Sequence, residues 1–168
     1  MKQTRLQNAA HIRNFVFGVE DSLVSTVGLL SGIAVGGVPR AQIVLTGMVL
    51  IFVEAFSMAM GSLLSEQSAQ EYLSRKEVSM RASAADSVIM FASYFLAGLI
   101  TLAPYFFMES TSALPISISL SLISLFLLGI VSARIFGINI LRSGIRTFAM
   151  GGFAILVGIL VSLFLTRQ

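Results

Sequence analysis

The chain has 168 residues, of which 56% are hydrophobic and only 11% charged, far too little polar surface to coat a soluble globule of this size. Its formal charge of +3 would suggest nucleic acid in a soluble protein, but the basic residues sit beside apolar runs and read instead as a topology signal. Cysteine is absent, which removes disulfides, thiolate metal sites and thiol nucleophiles together.

A helix needs roughly 20 apolar residues to cross a hydrocarbon core of about 30 Å. Five runs are long enough, at residues 15–37, 41–64, 87–108, 114–133 and 147–166. The expected fold is an all-α membrane protein, with residues 1–168 forming a single transmembrane domain. The first run is too long for a cleavable signal peptide and carries Glu20 and Asp21, so it reads as a mature helix. The single histidine, His11, precedes it. Between the first two runs, "GGVPR" supplies Gly36, Gly37 and Pro39, which end one helix and permit a tight reversal, so these helices should form a hairpin. The connection at 65–86 is the one extended polar stretch. It contains neither proline nor glycine and is expected to prolong the second helix into water.

Nine of the eleven Lys and Arg residues fall on one side of this topology: Lys2, Arg5 and Arg13, then Arg75, Lys76 and Arg81, then Arg134, Arg142 and Arg146. Only Arg40 and Arg167 fall on the other. Basic segments are retained in the cytoplasm, which places the N-terminus inside and the C-terminus outside. The loop carrying Glu109 then faces out.

A carboxylate deep in a membrane helix costs about 2.5 to 3.5 kcal/mol on insertion scales and needs a compensating reason. Glu20 and Asp21 lie about two turns into the first helix, and Glu54 lies near the midpoint of the second. No Lys or Arg shares their depth. Each carboxyl must therefore stay protonated, face water, or meet a cation that comes and goes. Against this stands a plainer reading in which Glu54 is interhelical glue and Glu20 reaches the headgroups. Asp21 has a shorter stem and is the stronger candidate of the adjacent pair. Met58 follows Glu54 by four residues, so thioether and carboxylate share a helical face, flanked by Ser57 and Met60. Oxygen with soft sulfur leans toward a borderline divalent ion such as Fe²⁺, although methionine in such helices also serves simply as packing.

Gly28, Gly32 and Gly36 form a small-xxx-small ridge that admits another backbone; its partner is either a helix of the same chain or a second subunit. In the polar connection, Glu66, Glu71 and Glu77 are secondary metal candidates. Glu71 with Arg75 and Glu77 with Arg81 also fit a solvated helix face at four-residue spacing, and Glu66 and Glu77 would share a face. There is no Gly-rich phosphate loop, metalloprotease motif or Ser/His/Asp set, so no enzyme is expected.

At these residues the chain resembles the vacuolar iron transporter family. "RNFVFGVEDSLVSTVGLLSGIAVG" is similar to the family's first helix, with Asp21 at its membrane aspartate and Ser22 where a glycine usually follows. "VEAFSMAMGSLLSEQSAQEY" is similar to its second, with Ser57, Met58 and Gly61 in the SMxxG core. "SYFLAGLITLAPYFF" resembles the third, and "FGINILRSGIRTFAMGGFAILVG" the passage from the fourth into the fifth. The resemblance implies a five-helix, typically dimeric carrier exporting Fe²⁺ or Mn²⁺ from the cytoplasm. Many eukaryotic members carry a long glutamate-rich metal-binding domain between the second and third helices, and here that connection is short.

The leading expectation is thus a homodimeric Fe²⁺ or Mn²⁺ exporter with Asp21, Glu54 and Met58 as its transient site and proton antiport implied by the resemblance. It has no permanently bound cofactor and no nucleic-acid partner. Lipid, metal ions and protons are its partners, and a prokaryotic plasma membrane its expected location. The rivals are a non-transporting assembly protein and a proton or monovalent-cation channel indifferent to Met58.

Overall fold

The computed structural model describes residues 2–80 and 83–166, with side chains from residue 9 onward. Arg81 and Arg167 lie outside the described residues. The chain forms five helices: α1 Lys2–Val35, α2 Arg40–Ser74, α3 Ala84–Phe107, α4 Ser110–Phe136 and α5 Ile140–Thr166. All five are long and apolar enough to cross a membrane, and short connections alternate their direction. Arg13, Arg75, Lys76, Arg134, Arg142 and Arg146 therefore gather at one end of the bundle, which we call the basic end, while Arg40 alone of the described basic side chains marks the other.

The hairpin between α1 and α2 forms as its turn residues require. Gly37 takes φ 78°, a left-handed conformation that costs glycine little, and Val38 N–H donates to the Ile33 carbonyl at 3.2 Å. Pro39, at φ −58°, then opens α2. Arg40 locks this end by donating from its guanidinium to the carbonyls of Tyr105 (2.9 Å) and Phe106 (2.8 Å), and it pairs with Glu109 at 3.7 Å.

Two helices are longer than their apolar runs. α1 begins at Lys2, well before Phe15, because nothing in the polar segment breaks the helix and its inner face remains packed: Asn14 is buried and His11 half-buried. α2, with 35 residues, is about 52 Å long and projects past the membrane thickness, as its polar continuation implies. That continuation stops at Ser74, however, rather than running toward α3. Arg75 adopts a left-handed conformation at φ 55° with its N–H on the Glu71 carbonyl. The Glu71 carboxylate holds the turn by accepting from Gln67 Nε2 (2.9 Å) and from the Val78 N–H (3.3 Å).

α1 is central and touches all four other helices, packing most extensively on α3 and α5. α2 leans on α3, has a smaller contact with α1, and makes no substantial contact with α4 or α5. The glycine ridge of α1 has its partner in the same chain. A Cβ at Gly32 would lie 2.7 Å from the Gly158 carbonyl oxygen, one at Gly36 would lie 2.8 Å from Ser162 Oγ, and Gly28 faces Ala154. α5 therefore fills the ridge.

Small polar side chains pin the remaining crossings, as expected where no water competes for backbone groups. Thr101 and Ser121 hydroxyls meet at 2.9 Å, Ser117 donates to the Thr101 carbonyl at 2.7 Å, and Thr147 donates to the Leu125 carbonyl at 2.8 Å.

Candidate functional site

Asp21 on α1 and Glu54 on α2 are both half-buried. The charge of Glu54 is felt at Asp21, and the charges of both are felt at the phenol of Tyr94 on α3. Two carboxylates far apart in sequence thus share one electrostatic neighbourhood, beside α3, on which both of their helices pack. Tyr94 is fully buried, with its hydroxyl 2.8 Å from Ser25 Oγ and its carbonyl accepting from Ser22 Oγ at 2.6 Å. Ser22 therefore ties α1 to α3 immediately beside Asp21.

The local helix geometry explains why α2 presents Glu54 as it does. Ile43, Gly47, Ile51, Ala55 and Ala59 form its buried stripe, with Ile51 against Gly98 and Gly47 against Leu102 of α3. At about 100° per residue, Glu54 falls on the flank of this stripe. Ser57, Met58 and Gly61 share that flank, whereas Met60 lies about 120° further round. Met58 is half-buried, and Ser57, Met60 and Gly61 are exposed. Nothing lies within 4 Å of the position a Gly61 Cβ would take.

Among the described residues, neither Asp21 nor Glu54 makes an ion pair or a side-chain hydrogen bond. The ion pairs lie instead toward the helix ends: His11 with Asp86 at 2.7 Å, Arg13 with Glu66 at 3.7 Å, and Arg40 with Glu109. Glu20, also half-buried, feels both Asp21 and Arg146 of α5. No cluster of three or more His, Asp or Glu that could hold a metal ion occurs among the described residues. A groove of about 730 Å³ between α1 and α5 is lined by apolar and small residues and contains none of these acids.

The acids of the polar connection do not converge. Glu66 faces Arg13 and accepts from Gln70 Nε2 at 3.1 Å, and Glu71 is occupied with the turn. Because α2 ends at Ser74, Glu77 is not on a helix. The expected shared face of Glu66 and Glu77 is absent, and the expected pairing of Glu77 with Arg81 falls partly outside the described residues. Glu71 and Arg75 make no ion pair either, since the left-handed Arg75 turns its guanidinium over the Tyr72 ring at 5.4 Å.

Two buried polar residues escape a reading based on charge in apolar runs. Tyr94 looks like ordinary aromatic filling until the fold puts it beside both acids. Asp86 sits at a run boundary, where an acid is unremarkable as a helix-start residue. It proves to be 7% exposed and bonded to the one histidine.

The sequence model of the VIT family matches residues 12–86 and 74–163, which together take in all five helices. Comparison with curated proteins returns no match. With that coverage and five helices long and apolar enough to cross a membrane, the chain belongs to the vacuolar iron transporter family and is a multi-pass membrane metal-ion transporter.

Proposed function

We propose that the protein exports Fe²⁺ or Mn²⁺ from the cytoplasm in exchange for protons, with Asp21 and Glu54 as oxygen ligands and Met58 as a soft ligand. The observation that supports this reading is that the charge of Glu54 on α2 is felt at Asp21 on α1, with neither acid in an ion pair among the described residues. Two ionised carboxylates that repel one another in a half-buried site are costly unless a cation accompanies them. A divalent metal or protons can fill that role in turn, and because they compete for the same oxygens, a proton gradient can drive metal release. The gathering of basic residues at one end favours that end as cytoplasmic, so metal enters from the side of Arg13 and Glu66.

The functional unit in this reading is a homodimer. One chain offers two acids and a thioether, and the flank of α2 bearing Glu54, Ser57 and Gly61 is left uncovered by its own fold. A second copy laid along that flank would enclose the site and bring an equivalent ligand set to it.

Transport in proteoliposomes under an imposed pH gradient tests the assignment. Loss of outer-shell partners alone typically costs 10- to 100-fold, so Asp21→Asn and Glu54→Gln should each lower Mn²⁺ or Fe²⁺ flux by at least about tenfold. Unchanged flux in variants that insert normally would remove both residues from the path.

A further inference from the structure

At the basic end of the bundle, the turn from α4 into α5 borders an open pocket of about 530 Å³ lined by Ile138, Asn139, Arg142, Ser143 and Arg146. No acidic residue lines it. Arg142 and Arg146 stand one turn apart on α5, so both guanidinium groups can address one anion. Neither takes part in the ion pairs of the described residues, although Glu20 feels Arg146 from across the bundle.

The backbone adds to this charge. α5 starts at Ile140, so its first N–H groups lack intrahelical acceptors and carry the positive end of the helix dipole. Asn139 Oδ1 satisfies only the Arg142 N–H, at 3.0 Å. Retention of the basic end in the cytoplasm would require positive charge but no cavity, whereas this fold collects two arginines, a serine hydroxyl and an asparagine around one. Ile138, which lines the pocket, and Leu141 and Ile145, each next in sequence to one of its arginines, are exposed (51%, 63% and 54%), so apolar surface that acyl chains could cover adjoins the charged residues.

We propose that this cavity binds a phosphate-bearing group, supplied by the headgroup of an anionic phospholipid. The site is separate from Asp21 and Glu54, and its test does not depend on transport.

Native mass spectrometry of the full chain in detergent, titrated with dioctanoyl phosphatidylglycerol, reads the binding directly. Each arginine near an anionic lipid contributes roughly fivefold in affinity, so Arg142→Gln with Arg146→Gln should weaken binding about 30-fold. The charge-matched pair Arg75→Gln with Lys76→Gln, on the α2–α3 connection, should leave it unchanged. If the double variant fails to fold, Arg142→Gln alone should show about a fivefold loss. A second arm adds millimolar inorganic phosphate. Undiminished lipid binding identifies the membrane as the source, and displacement through the same arginines assigns the cavity to a soluble phosphate. Equal affinity in wild type and the Arg142/Arg146 variants, or an equal loss in the charge-matched pair, overturns the proposal.

Discussion

Substituting Gly158 by valine tests whether the α1–α5 crossing is fixed by backbone contact. A Cβ at Gly158 would collide with the Gly28 carbonyl oxygen and lie 2.9 Å from its carbon. These are backbone atoms in the middle of α1, so neither can swing away as a side-chain tip could. Relief requires α5 to move off α1, which also loosens the contacts of Gly32 and Gly36 with α5. Overpacking of this kind costs about 1 to 3 kcal/mol, and valine's two further methyl groups place it toward the upper part of that range. Gly152→Ala is the matched control, since nothing lies within 4 Å of its Cβ position and alanine favours helix by about 1 kcal/mol. Reversible unfolding in mixed micelles, followed by circular dichroism, measures both. The expected result is a destabilised monomer for Gly158→Val and an unchanged or more stable one for Gly152→Ala. If Gly158→Val kept wild-type monomer stability and lost only self-association, the ridge would serve a second subunit, and the intrachain packing described above would be wrong.

Met58→Leu preserves volume and helix propensity while removing the sulfur; flux of Fe²⁺ should fall relative to that of Mn²⁺, because the harder ion gains less from a thioether, and equal effects on both would demote Met58 to packing. Asp86→Ala should destabilise the fold by about 1 to 3 kcal/mol in the same micelle assay, because the buried partner of His11 is lost at the α1–α3 contact; wild-type stability would mean the pair is incidental. Gly61→Leu should leave monomer stability intact, as the position is unobstructed within the chain, while shifting the monomer–dimer equilibrium in cross-linking or single-molecule counting toward monomer. An undisturbed equilibrium would move the proposed dimer contact away from this flank of α2.

Much of the architecture was legible because hydropathy in a membrane protein is a direct solvent argument: five runs of sufficient length leave little choice of fold, and Gly37 and Pro39 mark the hairpin by backbone chemistry alone. The acids were legible for the same reason, since Asp21 and Glu54 are conspicuous against an apolar background. What could not be read was anything set by the rotation of one helix against another. The Gly28, Gly32 and Gly36 spacing signals close approach but carries no information about the partner; only the packed bundle assigns α5. The end of α2 was equally hidden. No proline or glycine marks it, and Arg75 adopts its left-handed conformation because Glu71 offers a carboxylate to the Val78 N–H, a contact between residues on opposite sides of the break. His11 and Asp86, 75 positions apart, meet only because α1 and α3 run in the same direction from the same end.

Those parallel helices also suggest how rigidity is distributed about the site. Asp21 rides on α1, which is fixed to α3 beside it by the Ser22 and Ser25 bonds to Tyr94 and to α5 by the glycine crossing. Glu54 rides on α2, which is anchored near its start by Arg40 and at its basic end by the Arg13–Glu66 pair, and otherwise leans mainly on α3, with a smaller contact on α1. A long helix pinned near both ends and packed mainly on one neighbour is better able to shift when a charge beside its middle is gained or lost than one held on several sides. If Asp21 and Glu54 form the proposed transport site, loading or releasing a cation there would change the force between a fixed helix and a more compliant one. That difference in support would then convert occupancy of the site into displacement of α2.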